Sequence, residues 1–465
     1  MQNQNTTKGS PNDPARTKTR KAARIATHRP SGVALAMALV FASASPNTAA
    51  TAENAGAPTP ARQTEKVPEL LRGDPLPGDK GFVHRIMVDK VRIDRSHSVD
   101  EAREHIRYYA ELGFNVLCPR SYYSMGGWSD QDLERIEGVA DHAGRSGMFY
   151  MQWLRGSFKA GKFGVDSDSR FVGRDGVVNE AVSPSTEVFW KVLEEQILPL
   201  ARISTREPIL GVFFDFEGYG FGGGHWYPPS YDDAAWARFF EERGESVPEV
   251  GHEARHGYLE ERGSAEKFHK SQYAYWKRKA AALRKKINEL NPDFRFAVYP
   301  QRWTAFIDKA FWSELSTERA PAIGAEHHTY GRGNPIKGWE KHWRISDNQA
   351  LRLDHAYLSR HKWRFRSGGH GGHYIGGINT GSRGGADPQL VARKMVLFAD
   401  HVDGYWIWNS GISPNSRHER EFERWWRVAN KAIRRGETEI LKDLHEWNPD
   451  LSRRWLDHQE STFPP

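Results

Sequence analysis

The chain has 465 residues, of which 27% are charged and 12% aromatic, and its formal net charge is +7. This length suits one large domain or two ordinary ones, and the single cysteine, Cys118, excludes an intramolecular disulfide and a cysteine-rich zinc module. Residues 1–50 carry seven Lys and Arg against one Asp, which leaves only +1 for the rest, so the charge does not favour a nucleic-acid partner.

The first 50 residues have the pattern of an export signal. A basic region up to Arg29 precedes the apolar stretch GVALAMALVFASA, and small residues with possible A-x-A cleavage sites follow. The apolar stretch is short for a membrane span. We therefore predict a signal peptide over 1–50, a disordered linker over 51–80, and a secreted or periplasmic mature protein without a membrane segment. A disordered basic tail is the alternative.

Apolar runs and amphipathic segments alternate from residue 82 onward. The runs predict eight strands, at 82–88, 114–119, 148–153, 209–216, 294–299, 322–328, 373–379 and 402–408. The amphipathic segments predict helices at 98–113, 129–147, 185–203, 266–290, 339–361, 387–400 and 416–435. Ser98, followed three residues later by Glu101, predicts an N-cap.

This alternation implies parallel strands joined by right-handed crossovers. We predict an α/β fold, a (β/α)8 TIM barrel, as a single catalytic domain over 81–438, with residues 439–465 as a C-terminal tail packed on it. An open doubly wound sheet is the alternative. No G-x-G-x-x-G follows the first strand, so a dinucleotide site is not indicated.

The fourth predicted strand ends in two acids, within ILGVFFDFEGYG. Because side chains alternate along a strand, we expect Leu210, Val212, Phe214 and Phe216 to face the helices, and Ile209, Gly211, Phe213, Asp215 and Glu217 to face the barrel interior. The acids then lie at the carboxyl end, where barrel enzymes hold their catalytic groups. Two close carboxylates repel, so one holds a proton beside an ionised partner, as glycosidic cleavage requires. Ion pairs with Arg120, Arg155 or Arg302 are the structural alternative.

The segment GVFFDFEGY resembles the fourth-strand motif of chitinase-like glycoside hydrolases of family 18, and GYWIWN is similar to their final strand. The resemblance implies that Glu217 is the general acid, that Asp215 steers an N-acetyl group of the substrate, and that Trp406 or Trp408 floors a sugar pocket. The family pattern has two earlier acids, where this chain has Leu210 and Phe213. The resemblance therefore supports a barrel glycosidase in general more than it supports membership of family 18.

A second scheme uses Glu326, at the end of the sixth predicted strand, as nucleophile or base opposite Glu217. Its structural alternative is a salt bridge to an arginine at the mouth. Other predicted strand ends supply amides, rings and charges that suit hydroxyl-rich ligands. The predicted substrate-binding residues are Arg120, Gln152, Trp153, Tyr299, Gln301, Trp303, His327, Tyr330, Asn379, Trp406 and Trp408.

Histidines raise the alternative of a metal-dependent barrel hydrolase, through His327, His328, His370 and His373. The chain lacks H-E-x-x-H and a first-strand His-x-His, so we predict neither a metal nor another cofactor. The leading prediction is a secreted glycoside hydrolase acting on a poly- or oligosaccharide. A non-catalytic carbohydrate-binding barrel is the other alternative. The sequence leaves open the sugar, the linkage, the stereochemical outcome and the oligomeric state.

Overall fold

A computed structural model describes the backbone of most of the chain from residue 86 to residue 445. The described residues lie within one compact unit, Gln63–Pro465. The described ranges are 86–90, 98–119, 127–155, 160–162, 166–215, 228–299, 310, 313–326, 328–330, 347–367, 372–380, 387–408 and 417–445. The predicted signal peptide and linker lie outside them.

The described residues form ten strands. They are β1 (Ile86–Lys90), β2 (Val116–Leu117), β3 (Phe149–Arg155), β4 (Arg170–Val172), β5 (Val178–Val182), β6 (Ile209–Asp215), β7 (Arg295–Tyr299), β8 (Ile323–Ala325), β9 (His373–Asn379) and β10 (Gly404–Trp408). All eight predicted strands are among them, with ends that shift by a few residues. β4 and β5 were not predicted.

Nine α-helices are described alongside these strands. They are α1 (Val99–Glu111), α2 (Asp130–Arg145), α3 (Glu187–Ile203), α4 (Asp233–Glu241), α5 (His252–Glu261), α6 (Ala265–Leu290), α7 (Asp347–Ser367), α8 (Pro388–His401) and α9 (Arg417–Arg435). The predicted capping box of α1 is confirmed, because Ser98 Oγ accepts from the Glu101 N–H and Glu101 Oε2 accepts from the Ser98 N–H. A short 3₁₀ segment, Glu439–His445, follows α9.

Eight strands pair in parallel, in the order β1-β10-β9-β8-β7-β6-β3-β2. Because β1 pairs with both β10 and β2, the described sheet closes on itself. The ring is thin at β2, which joins each neighbour at two positions. The predicted α/β class with a parallel sheet is therefore confirmed. The connection between β7 and β8 lies partly outside the described residues, so the complete (β/α)8 repeat stays a prediction.

Two apolar layers hold the sheet. The main core lies between the sheet and the helices, and includes Val212, Phe214, Phe296 and Val298. A smaller interior cluster lies inside the ring of strands. Its buried members are Val116, Cys118, Met151, Trp153, Leu210, Phe213, Ala297, Tyr299, Ile323, Ala325, Ile375 and Trp406. The interior is thus a packed core, as in other eight-stranded parallel barrels.

A satellite core around Trp236 stands beside the barrel. It joins β4, α4, α5 and the start of α6 through Val172, Tyr231, Ala235, Trp236, Phe239, Phe240, Leu259 and Phe268. The segments that build it follow β3 and β6, so the chain enters them from the carboxyl ends of those strands. The sequence did not predict β4, β5, α4 or α5, because elements this short carry little periodicity. Among the described residues, no helix combines the length and apolar character that a membrane crossing requires.

Candidate active site

β6 begins with an irregularity that changes which residues face inward. Tyr150 of β3 pairs with Ile209, but the next residue, Met151, pairs with Gly211, so Leu210 is an extra residue. Ile209 therefore lies in the main core and Leu210 in the interior cluster. The sequence predicted the reverse for these two residues, because strict alternation cannot anticipate a bulge.

Alternation holds from Gly211 onward. Val212 and Phe214 belong to the main core, while Phe213 belongs to the interior cluster, as predicted. Asp215 follows Phe213 on the same face, about 7 Å further along the strand. The carboxyl end of β6 thus presents an acid to the interior side of the sheet.

Asp215 is 2% exposed. Its register partners are Arg155 on β3 and Tyr299 on β7. Paired residues of neighbouring parallel strands share a face, and Tyr299 belongs to the interior cluster, which supports the inward direction of Asp215. The sequence considered Arg155 only as an ion-pair partner. Arg155 lies two residues after Trp153 on β3, and by alternation this spacing places both side chains on the interior side of the sheet.

Next to the register partners Arg155, Asp215 and Tyr299 lies a group of aromatic rings that we call the aromatic floor. It consists of Phe213, Tyr299, Tyr330 and Trp406. The ring of Trp406 is 4.8 Å from that of Tyr299 and 5.5 Å from that of Phe213, between centroids. Tyr330 stacks on Trp406 at 5.2 Å with an interplanar angle of 18°. Rings in this arrangement form a rigid base beneath the carboxyl-end layer.

Trp406 is fully buried, and its Nε1 donates to the carbonyl oxygen of Glu326 at 3.0 Å. A ring face covered by Tyr330 is not open to a sugar. The partly buried rings of Tyr330 and Trp408 are therefore better placed than Trp406 for the stacking that the sequence predicted. Asn379 is also partly buried and pairs with Trp408, and its N–H donates to the Tyr330 carbonyl oxygen at 3.0 Å.

By strand register and membership of the interior cluster, most of the described residues predicted for the site lie on the interior side of the sheet. They are Asp215, Trp153, Tyr299, Tyr330, Asn379, Trp406 and Trp408. Five other predicted site residues lie outside the described residues. They are Glu217, Arg120, Gln301, Trp303 and His327.

Gln152 does not join this group. It pairs with Val212, which belongs to the main core, so it lies on the outer face of the sheet. Its side chain is fully buried, accepts from the Tyr150 hydroxyl and donates to the carbonyl oxygen of Trp153 at 3.0 Å. Burial raises the pKa of Tyr150, so its phenol stays protonated and remains a donor. The predicted substrate-binding role of Gln152 requires a side chain on the interior face, whereas the side chain lies on the outer face.

Glu326 is placed differently from its prediction as well. Its carboxylate is 1% exposed and accepts from the backbone N–H of His328 at 2.7 Å. It also accepts from the hydroxyl of Tyr374 and lies 2.8 Å from Nδ1 of His328. Tyr374 belongs to the main core, so the carboxylate points toward the helices and away from the interior cluster. The reason is that Ala325, the last residue of β8, faces the interior cluster, so the next residue along the chain faces outward.

His328 continues this outer network toward α7. Its Nδ1 lies 2.6 Å from the Tyr357 hydroxyl, and its ring packs against that of Tyr357 at 4.8 Å. His373 lies at the start of β9, the end of the strand opposite Asn379. Among the described residues, no three His, Cys, Asp or Glu side chains stand together as a metal site.

The sequence matches no family model and no curated protein sequence. Its fold is similar to that of a β-galactosidase from the psychrophilic Marinomonas ef1, with a TM-score of 0.50 and 10% identity over 79% of this chain. This chain covers 61% of the length of that enzyme. The likeness extends to the fold alone.

Two further similar structures are glycosidases. The isoenzyme 2 α-L-fucosidase from Paenibacillus thiaminolyticus has a TM-score of 0.43, 11% identity, and coverage of 75% of this chain and 49% of its own. A mutant O-GlcNAc hydrolase from Thermobaculum terrenum has a TM-score of 0.36, 10% identity, and coverage of 82% and 64%.

Proposed function

We propose that this chain is a secreted (β/α)8-barrel glycoside hydrolase that cleaves a poly- or oligosaccharide by carboxylate acid/base catalysis. The observation that carries the proposal is Asp215, an acid that is 2% exposed at the carboxyl end of β6, on the interior side of the sheet. Carboxyl ends of barrel strands are where such folds place their catalytic groups.

In this proposal Glu217 is the general acid and Asp215 is its partner. Glu217 follows two residues after Asp215 in the sequence, and a position for both acids at the same end of the sheet is part of the proposal. Arg155 and Tyr299 flank Asp215 in register, so a cationic and a phenolic side chain belong to the residues on either side of it. Whether Asp215 acts on the sugar directly or steers an N-acetyl group depends on the substrate.

The surrounding side chains support a carbohydrate ligand. Tyr330 and Trp408 offer aromatic surface, and Asn379 offers an amide donor and acceptor. Sugars are bound by ring stacking combined with directed hydrogen bonds to hydroxyl groups. The fold likeness to a β-galactosidase supports the barrel and carries no information about the sugar.

A panel of aryl glycosides with good and poor leaving groups tests the assignment. Glu217→Gln should lower kcat about 10²- to 10⁴-fold on poor leaving groups, and much less on good ones, because only the former need an acid. Asp215→Asn should lower kcat for both classes. Equal activity of wild type and Glu217→Gln on poor leaving groups would refute the acid role.

Glu326→Gln is the matched control. It makes the same change in a buried carboxylate that faces the helices, so we expect lower stability and kcat within about twofold of wild type. A wild-type protein that binds oligosaccharides without turnover, with Glu217→Gln binding equally well, would indicate the non-catalytic barrel. Loss of turnover in chelator, restored by Zn²⁺, would indicate the metal-dependent alternative.

Export is part of the proposal and has its own test. The basic region, the apolar stretch and the small residues up to position 50 support a cleaved signal. N-terminal sequencing of protein recovered outside the producing cells should find a chain that starts after the apolar stretch. Recovery of the intact chain from the cytoplasm alone would contradict secretion.

A further inference from the structure

Arg295 opens β7 at the amino-terminal end of the sheet and is 1% exposed. The residues that follow show which way it points. Phe296 and Val298 belong to the main core, whereas Ala297 and Tyr299 belong to the interior cluster. By alternation Arg295 points into the barrel interior, at the end opposite the candidate active site.

The neighbouring strand offers this guanidinium no side-chain acceptor. The register partner of Arg295 is Gly211, which follows the bulge of β6. A Cβ atom at Gly211 would lie 1.9 Å from the carbonyl oxygen of Arg295, so the close approach of the two strands requires glycine there.

None of the described residues accepts a hydrogen bond from Nε or either terminal nitrogen of Arg295. A guanidinium has five N–H donors, and leaving them buried without acceptors is costly. Burial is the main cause that lowers the pKa of Arg295, to about 10, so the group is still charged at neutral pH. The fold therefore holds a buried positive charge that requires a complement.

The surroundings of Arg295 carry surplus positive charge. Its charged neighbours are Asp293 and Arg284. Asp293 is already engaged by Arg319, whose Nε and a terminal nitrogen donate to its two oxygens at 2.6 and 2.7 Å. Arg284 donates to backbone carbonyl oxygens, including that of Phe294 at 2.6 Å. Asp293 is thus shared with Arg319, and Arg284 adds a second positive charge near Arg295, so a small anion would supply acceptors that the guanidinium lacks.

We propose that the amino-terminal end of the barrel interior binds a small inorganic anion, such as chloride, on the guanidinium of Arg295. The anion accepts the unpaired N–H groups and offsets the surplus charge. This site is structural, and it does not depend on the proposed glycosidase activity.

Equilibrium unfolding of the full chain in urea tests the site; guanidinium chloride is unsuitable because it supplies chloride. Chloride is varied from micromolar to molar against gluconate at fixed ionic strength. An anion bound only by the folded state raises the folding equilibrium constant about tenfold for each tenfold rise in chloride above its Kd. Wild type should show this slope, and Arg295→Met should show none.

Arg255→Met is the matched control. Arg255 is also buried, in the satellite core, but it donates to the carbonyl oxygens of Tyr231 and Val250 at 2.7 and 3.2 Å. This variant should be less stable than wild type and keep the wild-type chloride slope. A flat wild-type profile overturns the proposal, and so does a slope that Arg295→Met retains or that Arg255→Met also loses.

Crystals of wild type grown in bromide give a second measurement, which serves if Arg295→Met does not fold. An anomalous peak in contact with the Arg295 guanidinium supports the site. Well-ordered density for that guanidinium without such a peak overturns it.

Discussion

Replacing Lys394 by Met should lower the free energy of unfolding more than a typical surface substitution does. The reason is that the carboxylate of Asp354 stays buried while its cationic partner is removed. Lys394 on α8 and Asp354 on α7 are side chains with 2% and 0% exposure, and Nζ lies 3.1 Å from Oδ2. Nζ also donates at 3.1 Å to the carbonyl oxygen of Thr329, in the turn that follows β8. Removing one partner of such a buried pair costs about 3–5 kcal/mol.

Met has nearly the volume of the aliphatic part of Lys. The loss in free energy of unfolding therefore measures the removal of the charge more than the creation of a cavity. The double variant Lys394→Met/Asp354→Leu removes both charges and should recover most of the stability, to within about 1–2 kcal/mol of wild type. Urea unfolding followed by circular dichroism measures all the variants, with unchanged m values as the check on two-state behaviour. A loss below about 1 kcal/mol for Lys394→Met, or a double variant no more stable than the single one, would refute this reasoning.

Three further predictions concern stability. Gly211→Ala places a Cβ atom 1.9 Å from the backbone oxygen of Arg295, at a residue whose φ is 150°. The substitution should lower the free energy of unfolding by about 2–5 kcal/mol. A urea midpoint equal to that of wild type would contradict the close contact between the strands. Burial, reinforced by His355, lowers the pKa of His401 to about 4. The unfolded chain therefore binds the proton first, and the free energy of unfolding should fall by about 1–2 kcal/mol between pH 6.5 and 4. His401→Gln should flatten that part of the pH profile, and an unchanged profile would count against the assignment. Ser98→Ala removes the N-cap of α1 and should cost about 1 kcal/mol in thermal unfolding, whereas Ser98→Asn should cost little.

Much of the fold could be predicted from local pattern. The runs around β6, β7 and β9 are apolar because both faces of a parallel strand are covered, and their periodicity differs from that of the helices. The N-cap at Ser98 needed only residues three positions apart. The inward position of Phe213 likewise followed from alternation along its own strand.

The errors at the site have two causes. Leu210 was assigned a face by strict alternation, which the bulge of β6 reverses, whereas Gln152 and Glu326 were predicted from their places at strand ends, without regard to the inward-facing residues next to them, Trp153 and Ala325. The bulge at Leu210 arises where β6 passes close to Arg295 at Gly211. Glu326 turns outward because Tyr374 and His328 provide its hydrogen bonds.

The sequence by itself determined the order of strands and helices and the placement of Asp215 at the end of a buried strand, since these depend on residues close along the chain. Only the tertiary structure decided which faces the residues before the bulge of β6 occupy and which charges are paired. A one-residue bulge reverses every side chain before it relative to those after it. The partners of Lys394 and the isolation of Arg295 depend on segments far apart in sequence, and only folding brings those segments together or leaves a charge without a counterpart.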